Sequence, residues 1–161
     1  ALFEGQGAVE LEALAEEWLT SSEVEGPGYR FAILPSGEPS LPRIDPTPMW
    51  LALLEDLHAE VPAGLIAARF HKGLADALFE MTTIIRAEMD PESRITTVAL
   101  SGGCFQNSLL LESLLALLES EGLRCLTHSR FPSNDGGLAL GQGVIAAAKH
   151  LADQEQDVAG K

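Results

Sequence analysis

Two glycine turns carry the residues best placed to do chemistry. Ser101-Gly102-Gly103 follows a short apolar run at 95–100, and FPSNDGG at 131–137 comes one βα unit later. Paired glycines let a phosphate-bearing ligand approach the main chain, because no Cβ stands in the way. A strand, a glycine turn and a helix in succession place N–H groups at the carboxyl edge of a sheet, where open α/β folds hold ligands. In the second turn Ser133, Asn134 and Asp135 can each cap the following helix. Asp135 is therefore free to offer its carboxylate to a hard metal ion that neutralises phosphate. Asn107 has two readings, as an N-cap and as an amide for an adenine or ribose edge. His71 lies beside the apolar face of a long helix, where a structural hydrogen bond is the ordinary role.

The elements that must position these residues follow from apolar spacing. Ala8, Leu11, Leu14, Ala15 and Trp18 predict a helix from about residue 7 to 20, with Glu10 and Glu12 flanking the stripe. Residues 21–62 hold seven of the nine prolines and read as a peripheral insert. Within it, 29–34 suits a short strand, 36–39 a turn, and Thr47-Pro48 an N-cap followed by a first-turn proline. Met49, Trp50, Leu53, Leu54 and Leu57 form the expected buried stripe of that helix. A long helix over 64–89 puts Ile66, Phe70, Leu74, Ala77, Leu78, Met81 and Ile85 on one face, and 90–93 ends it. The β-branched run at 95–100 predicts a strand buried on both faces. A leucine-rich helix at 108–121 stops at Gly122, and a further strand spans 123–127. The last helix, 136–151, accepts interior glycines that each cost about 1 kcal/mol relative to alanine. Gly137 and Gly141 share a face there, which suits either tight packing or a ligand lying across the helix start. Residues 153–161 are expected to fray as a disordered tail.

The bulk numbers bound the class. A chain of 161 residues with 46% hydrophobic and 21% charged residues buries a real core. A net charge of −14 opposes nonspecific binding to nucleic acid or an anionic membrane. Cys104 and Cys125 follow no ligand spacing and read as buried thiols of a reducing compartment. No apolar run is long enough to span a bilayer, so the expected location is the cytoplasm.

Four stretches resemble one family: FEGQGAVELEALA at 3–15, AARFHKGLA at 67–75, VALSGGCFQN at 98–107 and PSNDGGLALGQ at 132–142. They are similar, in this order, to the C-terminal part of HypF-type carbamoyltransferases of [NiFe]-hydrogenase maturation, and more distantly to TsaD-type enzymes and antibiotic O-carbamoyltransferases. The resemblance implies an α/β fold, the second lobe of an actin/Hsp70-like (ribonuclease H-like) ATPase, with a mainly parallel sheet flanked by helices over 1–152. It implies the nucleotide-binding half of an enzyme that makes carbamoyl-adenylate from carbamoyl phosphate and ATP. That enzyme passes the carbamoyl group to the C-terminal cysteine of a HypE-type partner, where it later becomes the cyanide ligand of the hydrogenase iron.

Carried over residue by residue, Gly102 and Gly103 would lie against the nucleotide with Gly136 and Gly137, and Asn107 would hydrogen-bond the base. Glu10 would bind the ribose hydroxyls, and Asp135 would ligate a divalent metal (Zn, Fe or Mg). His71 belongs to the family pattern without a clear task, and no catalytic residue is assigned. Gly7 and Cys104 stand where the family has alanine and valine. The family's His-x-x-x-His metal pair is absent, so the remaining ligands are expected from a first lobe supplied in cis or in trans. The isolated chain is accordingly expected to be weak or inactive as a transferase. The competing class is a truncated, non-catalytic paralogue that binds a nucleotide or forms a homodimer.

Overall fold

The computed structural model describes residues 2–21, 26–35, 42–88 and 95–159, with side chains as far as residue 151. The expected turn at 36–39 and the helix stop at 90–93 lie outside the described residues. The chain divides into two compact units, Ala1–Val98 with Asn107–Leu126, and Ala99–Gln106 with Thr127–Lys161.

The first unit is built on three helices and an antiparallel strand pair. Helix α1 (Gln6–Ser21) packs its Ala15 side against α3 (Ala63–Glu88), where Ala67 and Ala68 are buried with it. Small residues allow this close approach. A Cβ on Gly64 of α3 would stand 2.9 Å from the Trp18 Cβ of α1. Strands β1 (Ala32–Leu34) and β2 (Arg43–Asp45) pair antiparallel, with Ile33 opposite Ile44. Helix α2 (Thr47–His58) follows. Tyr29, Phe31, Met49, Ile66 and Ala77 form the core shared by this strand pair and the helices α2 and α3. The 21–62 stretch therefore contributes part of a core and is not merely peripheral.

Two details of α2 differ from expectation. Thr47 is the first helical residue and not the cap; its N–H and hydroxyl both donate to the Asp45 carboxylate, at 3.0 and 2.6 Å. Trp50, Leu54 and Leu57 are more than half exposed, while Met49 is the buried residue of the helix. Apolar residues on two sides of a short helix left its inward face ambiguous, and the strand pair selected Met49.

Where the chain passes beneath α3, glycine is required. A Cβ on Gly73 would lie 2.0 Å from the Tyr29 carbonyl oxygen, and one on Gly28 would lie 2.3 Å from the Gly73 nitrogen. The Tyr29 N–H donates to the Arg69 carbonyl at 3.0 Å, so the extended segment is hydrogen-bonded to the helix it crosses. The Tyr29 hydroxyl and the Arg69 guanidinium both donate to Asp56, at 2.6 and 2.7 Å. Burial and the neighbouring carboxylate push the Tyr29 hydroxyl well above its ordinary range. The Tyr29 hydrogen bond, helped by Arg69, holds Asp56 below the usual carboxylate range.

Strand β3 (Thr97–Ala99), helix α4 (Ser108–Ser120) and strand β4 (Arg124–Leu126) form a βαβ unit with a small parallel sheet. The Arg124 N–H donates to the Thr96 carbonyl at 2.9 Å. Both exposed ends of β3 contradict the strand buried on two faces; only Leu100, just past it, is buried. The parallel sheet is smaller than expected, with two strands among the described residues, and β1–β2 is a separate antiparallel pair. Helix α4 buries Leu110, Leu114 and Leu118 and ends with Gly122 at a φ of 72°, in the left-handed region that glycine tolerates.

The second unit contains two short 3-10 turns, Gly103–Gln106 and Asp135–Gly137, and helix α5 (Leu138–Ala159). That helix runs past residue 153, so the expected frayed tail is helical as far as Ala159. Cys104 is exposed and Cys125 half-buried, which corrects the reading of both as buried thiols. Burial and the nearby Glu119 carboxylate push the Cys125 thiol up. No helix among the described residues is long and apolar enough to cross a membrane.

Candidate functional site

The two glycine turns meet within the second unit. The Gly102 N–H donates to the Ser133 carbonyl at 2.9 Å, and a Cβ on Gly103 would lie 3.8 Å from the Asn134 Cβ. A third tie joins the same loops, with His128 Nε2 lying 3.0 Å from the Ser101 hydroxyl. Gly102 holds a φ of 111°, a conformation that disfavours any side chain. One glycine thus permits the bend, and its N–H fastens the first loop to the second.

That bond has a chemical consequence. The Gly102 N–H is spent inside the protein and cannot reach a ligand. In the second turn the Gly136 N–H donates to Asn134 Oδ1 at 3.0 Å, and the Gly137 N–H to the Asn134 carbonyl at 3.1 Å. Donors left at the first turn of 103–106 are the N–H groups of Gly103 and Cys104, which take no acceptor among the described residues. Asn134 is the cap of the second turn, so Asp135 is exposed and not committed to capping. An open hollow of about 690 Å³ runs past Gly102, Pro132, Asp135 and Gly137 and along α5 at Gly141 and Val144. Its polar rim of loops and apolar wall of helix suit a ligand with a charged and an apolar end. A Cβ on Gly141 would meet nothing within 4 Å, so tight packing does not account for that glycine.

The residues present do not by themselves fit a resident metal. Among the described residues no group of three or more His, Cys, Asp or Glu side chains comes together. A single exposed carboxylate lacks the ligand count that holds a divalent ion in place.

The other candidates lie in the first unit. Glu10, on α1, is exposed and accepts from Gln6 Nε2 at 2.6 Å. His71 is 3% exposed, with Nδ1 2.8 Å from the Ala67 carbonyl and Nε2 2.9 Å from Asn107 Nδ2. Asn107 Oδ1 accepts from the Leu110 N–H at 2.8 Å, so the N-cap reading holds, and the same side chain also reaches His71. Glu12 is a residue that sequence reasoning missed. Its carboxylate accepts from the Ser108 N–H at 2.6 Å and the Ser108 hydroxyl at 2.8 Å, bringing negative charge from α1 to the start of α4. No local spacing signals a partner 96 positions away. The contact of His128 with Ser101, 27 positions apart, likewise has no local signal in the sequence.

The two glycine loops of the second unit gather beside an open hollow with a polar rim and an apolar wall, the arrangement of a ligand-binding surface. Residues 1–142 match the family described as carbamoyltransferase, Kae1-like domain, second subdomain. The chain is 39% identical to carbamoyltransferase HypF2 of Cupriavidus necator, over 89% of this chain and 19% of that protein. It is 38% identical to carbamoyltransferase HypF of Rhodobacter capsulatus, over 91% of this chain and 17% of that protein. It superposes with a TM-score of 0.76 and 36% identity on full-length HypF crystallised in a phosphate- and nucleotide-bound form, over 91% of this chain and 18% of that one. The chain belongs to the HypF-type carbamoyltransferase family and spans about a fifth of the length of these relatives.

Proposed function

We propose that the chain supplies the nucleotide-side half of an ATP-dependent carbamoyl-transfer site in hydrogenase maturation, as the second lobe of an actin/Hsp70-like ATPase domain. The observation that carries this reading is the fastening of the two glycine loops through Gly102 and Ser133, with Asp135 left uncommitted beside the hollow. Gly103, Gly136 and Gly137 offer close approach to phosphate, and the N–H groups of Gly103 and Cys104 are its donors. Asn107 serves the base and Glu10 the ribose. Asp135 contributes one carboxylate to a divalent metal whose other donors come from outside this chain. The transferred group is the carbamoyl of a carbamoyl-adenylate, and its acceptor is the C-terminal cysteine of a HypE-type protein in the cytoplasm. Positioning and the preorganised dipoles of the loops are the contribution expected of this chain. Family membership and the match to a nucleotide-bound relative support the reading.

Calorimetric titration of the full chain with ATP and Mg²⁺ tests it. The expected result is saturable binding that Asp135→Ala weakens by about tenfold, the size of a lost charge-assisted contact, with an unchanged melting temperature because the side chain is exposed. Absence of binding by the unsubstituted chain, or identical binding by the variant, would overturn the assignment.

A further inference from the structure

A serine hydroxyl facing an imidazole is a reactive pair as well as a tie between loops. His128 Nε2 lies 3.0 Å from the Ser101 hydroxyl oxygen, the reach at which a base takes the proton of a nucleophile. A neutral imidazole nitrogen is a stronger acceptor than a hydroxyl oxygen, which assigns the Ser101 O–H as donor to Nε2 and the ring proton to Nδ1. In that sense of the bond the serine oxygen keeps its lone pairs for an electrophile. A tie alone does not need an ionisable partner, because the Gly102–Ser133 backbone bond already fastens the loops at 2.9 Å.

The same backbone bond holds the pair in place, since it joins the residue after Ser101 to the loop that follows His128. Ser101 and His128 are both exposed and both line the hollow, so a reactant reaches the hydroxyl from the open side. Leu138, Leu140 and Val144 of α5 line that hollow too, giving a flat apolar leaving group a wall to lie on.

We propose that Ser101, with His128 as its general base, is a nucleophile that accepts an acyl group, carbamoyl included, from an activated ester bound in the hollow. The serine Oγ bonds to the carbonyl carbon as the bond from that carbon to the leaving oxygen breaks. The hydroxyl proton passes to His128 Nε2, and the leaving group departs as its oxyanion with the bonding pair. The imidazolium then gives its proton to water, and the acyl group stays on Ser101 as an ester. The N–H of the residue after a nucleophilic serine is a common oxyanion donor, but here it is spent on Ser133. Acylation is therefore expected to be stoichiometric, with slow release and no fast turnover. No nucleotide takes part, so the inference goes beyond the carbamoyl-transfer reading and does not depend on it.

Incubation of the full chain with p-nitrophenyl acetate, without nucleotide or metal, tests the pair. The expected result is an acetyl group on Ser101, located by peptide mass spectrometry and formed ahead of acetylation at any other serine. Ser101→Ala should abolish that adduct. His128→Gln keeps a hydrogen-bonding side chain but no base of comparable strength, and should slow its formation about 100-fold. The adduct on the unsubstituted chain is read without reliance on any variant's folding. Acetyl groups confined to lysines or to the exposed Cys104, labelling of Ser101 no faster than of Ser133, or an equal rate in His128→Gln would each reduce the pair to a loop tie and overturn the proposal.

Discussion

The two units treat their polar groups in opposite ways. In the first, polar side chains among helices are spent on the protein itself: His71 on Ala67 and Asn107, Glu12 on Ser108, Asp56 on Tyr29 and Arg69. In the second, backbone groups tie the loops together, while the Asp135 carboxylate stays open beside a hollow and the Gly103 and Cys104 N–H groups take no acceptor among the described residues. Their glycines differ in the same sense. Gly73 is present because Tyr29 lies against it, and Gly141 although nothing lies against it. A glycine under contact reports packing, and a glycine facing open space leaves room for something not part of the chain.

The largest expected effect breaks the first side of this contrast. Gly73→Ala places a methyl 2.0 Å from the Tyr29 carbonyl oxygen, a collision with backbone that no rotamer change relieves. The expected loss is about 3 kcal/mol or more of unfolding free energy by urea titration. A loss below about 1 kcal/mol, within the range of ordinary surface and packing changes, would show that the crossing segment can shift.

A smaller effect concerns the same crossing. Tyr29→Phe removes a hydrogen bond to a charged acceptor and should cost about 1.5 kcal/mol near neutral pH. The pH dependence has a definite sign. Tyr29 holds its proton more tightly when folded, so its contribution is complete below the ordinary tyrosine value near 10 and declines as pH rises above it. Asp56 is shifted the other way. Its contribution is present above the ordinary carboxylate value near 4 and is lost as pH falls below it. Tyr29 is the single tyrosine of the chain, so its ultraviolet titration is assignable. The phenylalanine variant should lose the alkaline limb that belongs to Tyr29 and weaken the acid one.

The smallest effect has the opposite sign. Gly141→Ala should stabilise α5 by about 1 kcal/mol, because the added methyl meets nothing and the helix gains propensity. The same methyl enters the hollow, so ATP affinity in the calorimetric titration should fall although the protein is firmer. Greater stability with undiminished binding would show that the open glycine serves no ligand.

Helices were the most legible part of the chain. The periodicity of α3 and the leucine pattern of α4 place both helices within a residue or two of their ends, because an apolar stripe of period 3.6 has few other uses. The candidate site was legible in its loops, where Ser101-Gly102-Gly103 and 131–137 do come together. Its wiring was not. Glu12, Ser101 and His128 are ordinary surface types whose partners are set by the tertiary fold. The inward face of α2 was misjudged for a related reason: with apolar residues all round, Thr47–His58 carries little directional information until β1 and β2 are in place.

Helix α4 has no acidic residue in its own first turn and takes one from α1. Because Asn107–Leu126 completes the first unit, that unit closes only after the loop at 99–106 has been passed. A nascent chain paused at residue 98 would therefore hold α1 and α3 together with the alanine seam between them, but with Leu109 missing from its flank. The flank of α1 and α3 that Leu109 and the start of α4 cover stays open to water until residues 107–126 have emerged.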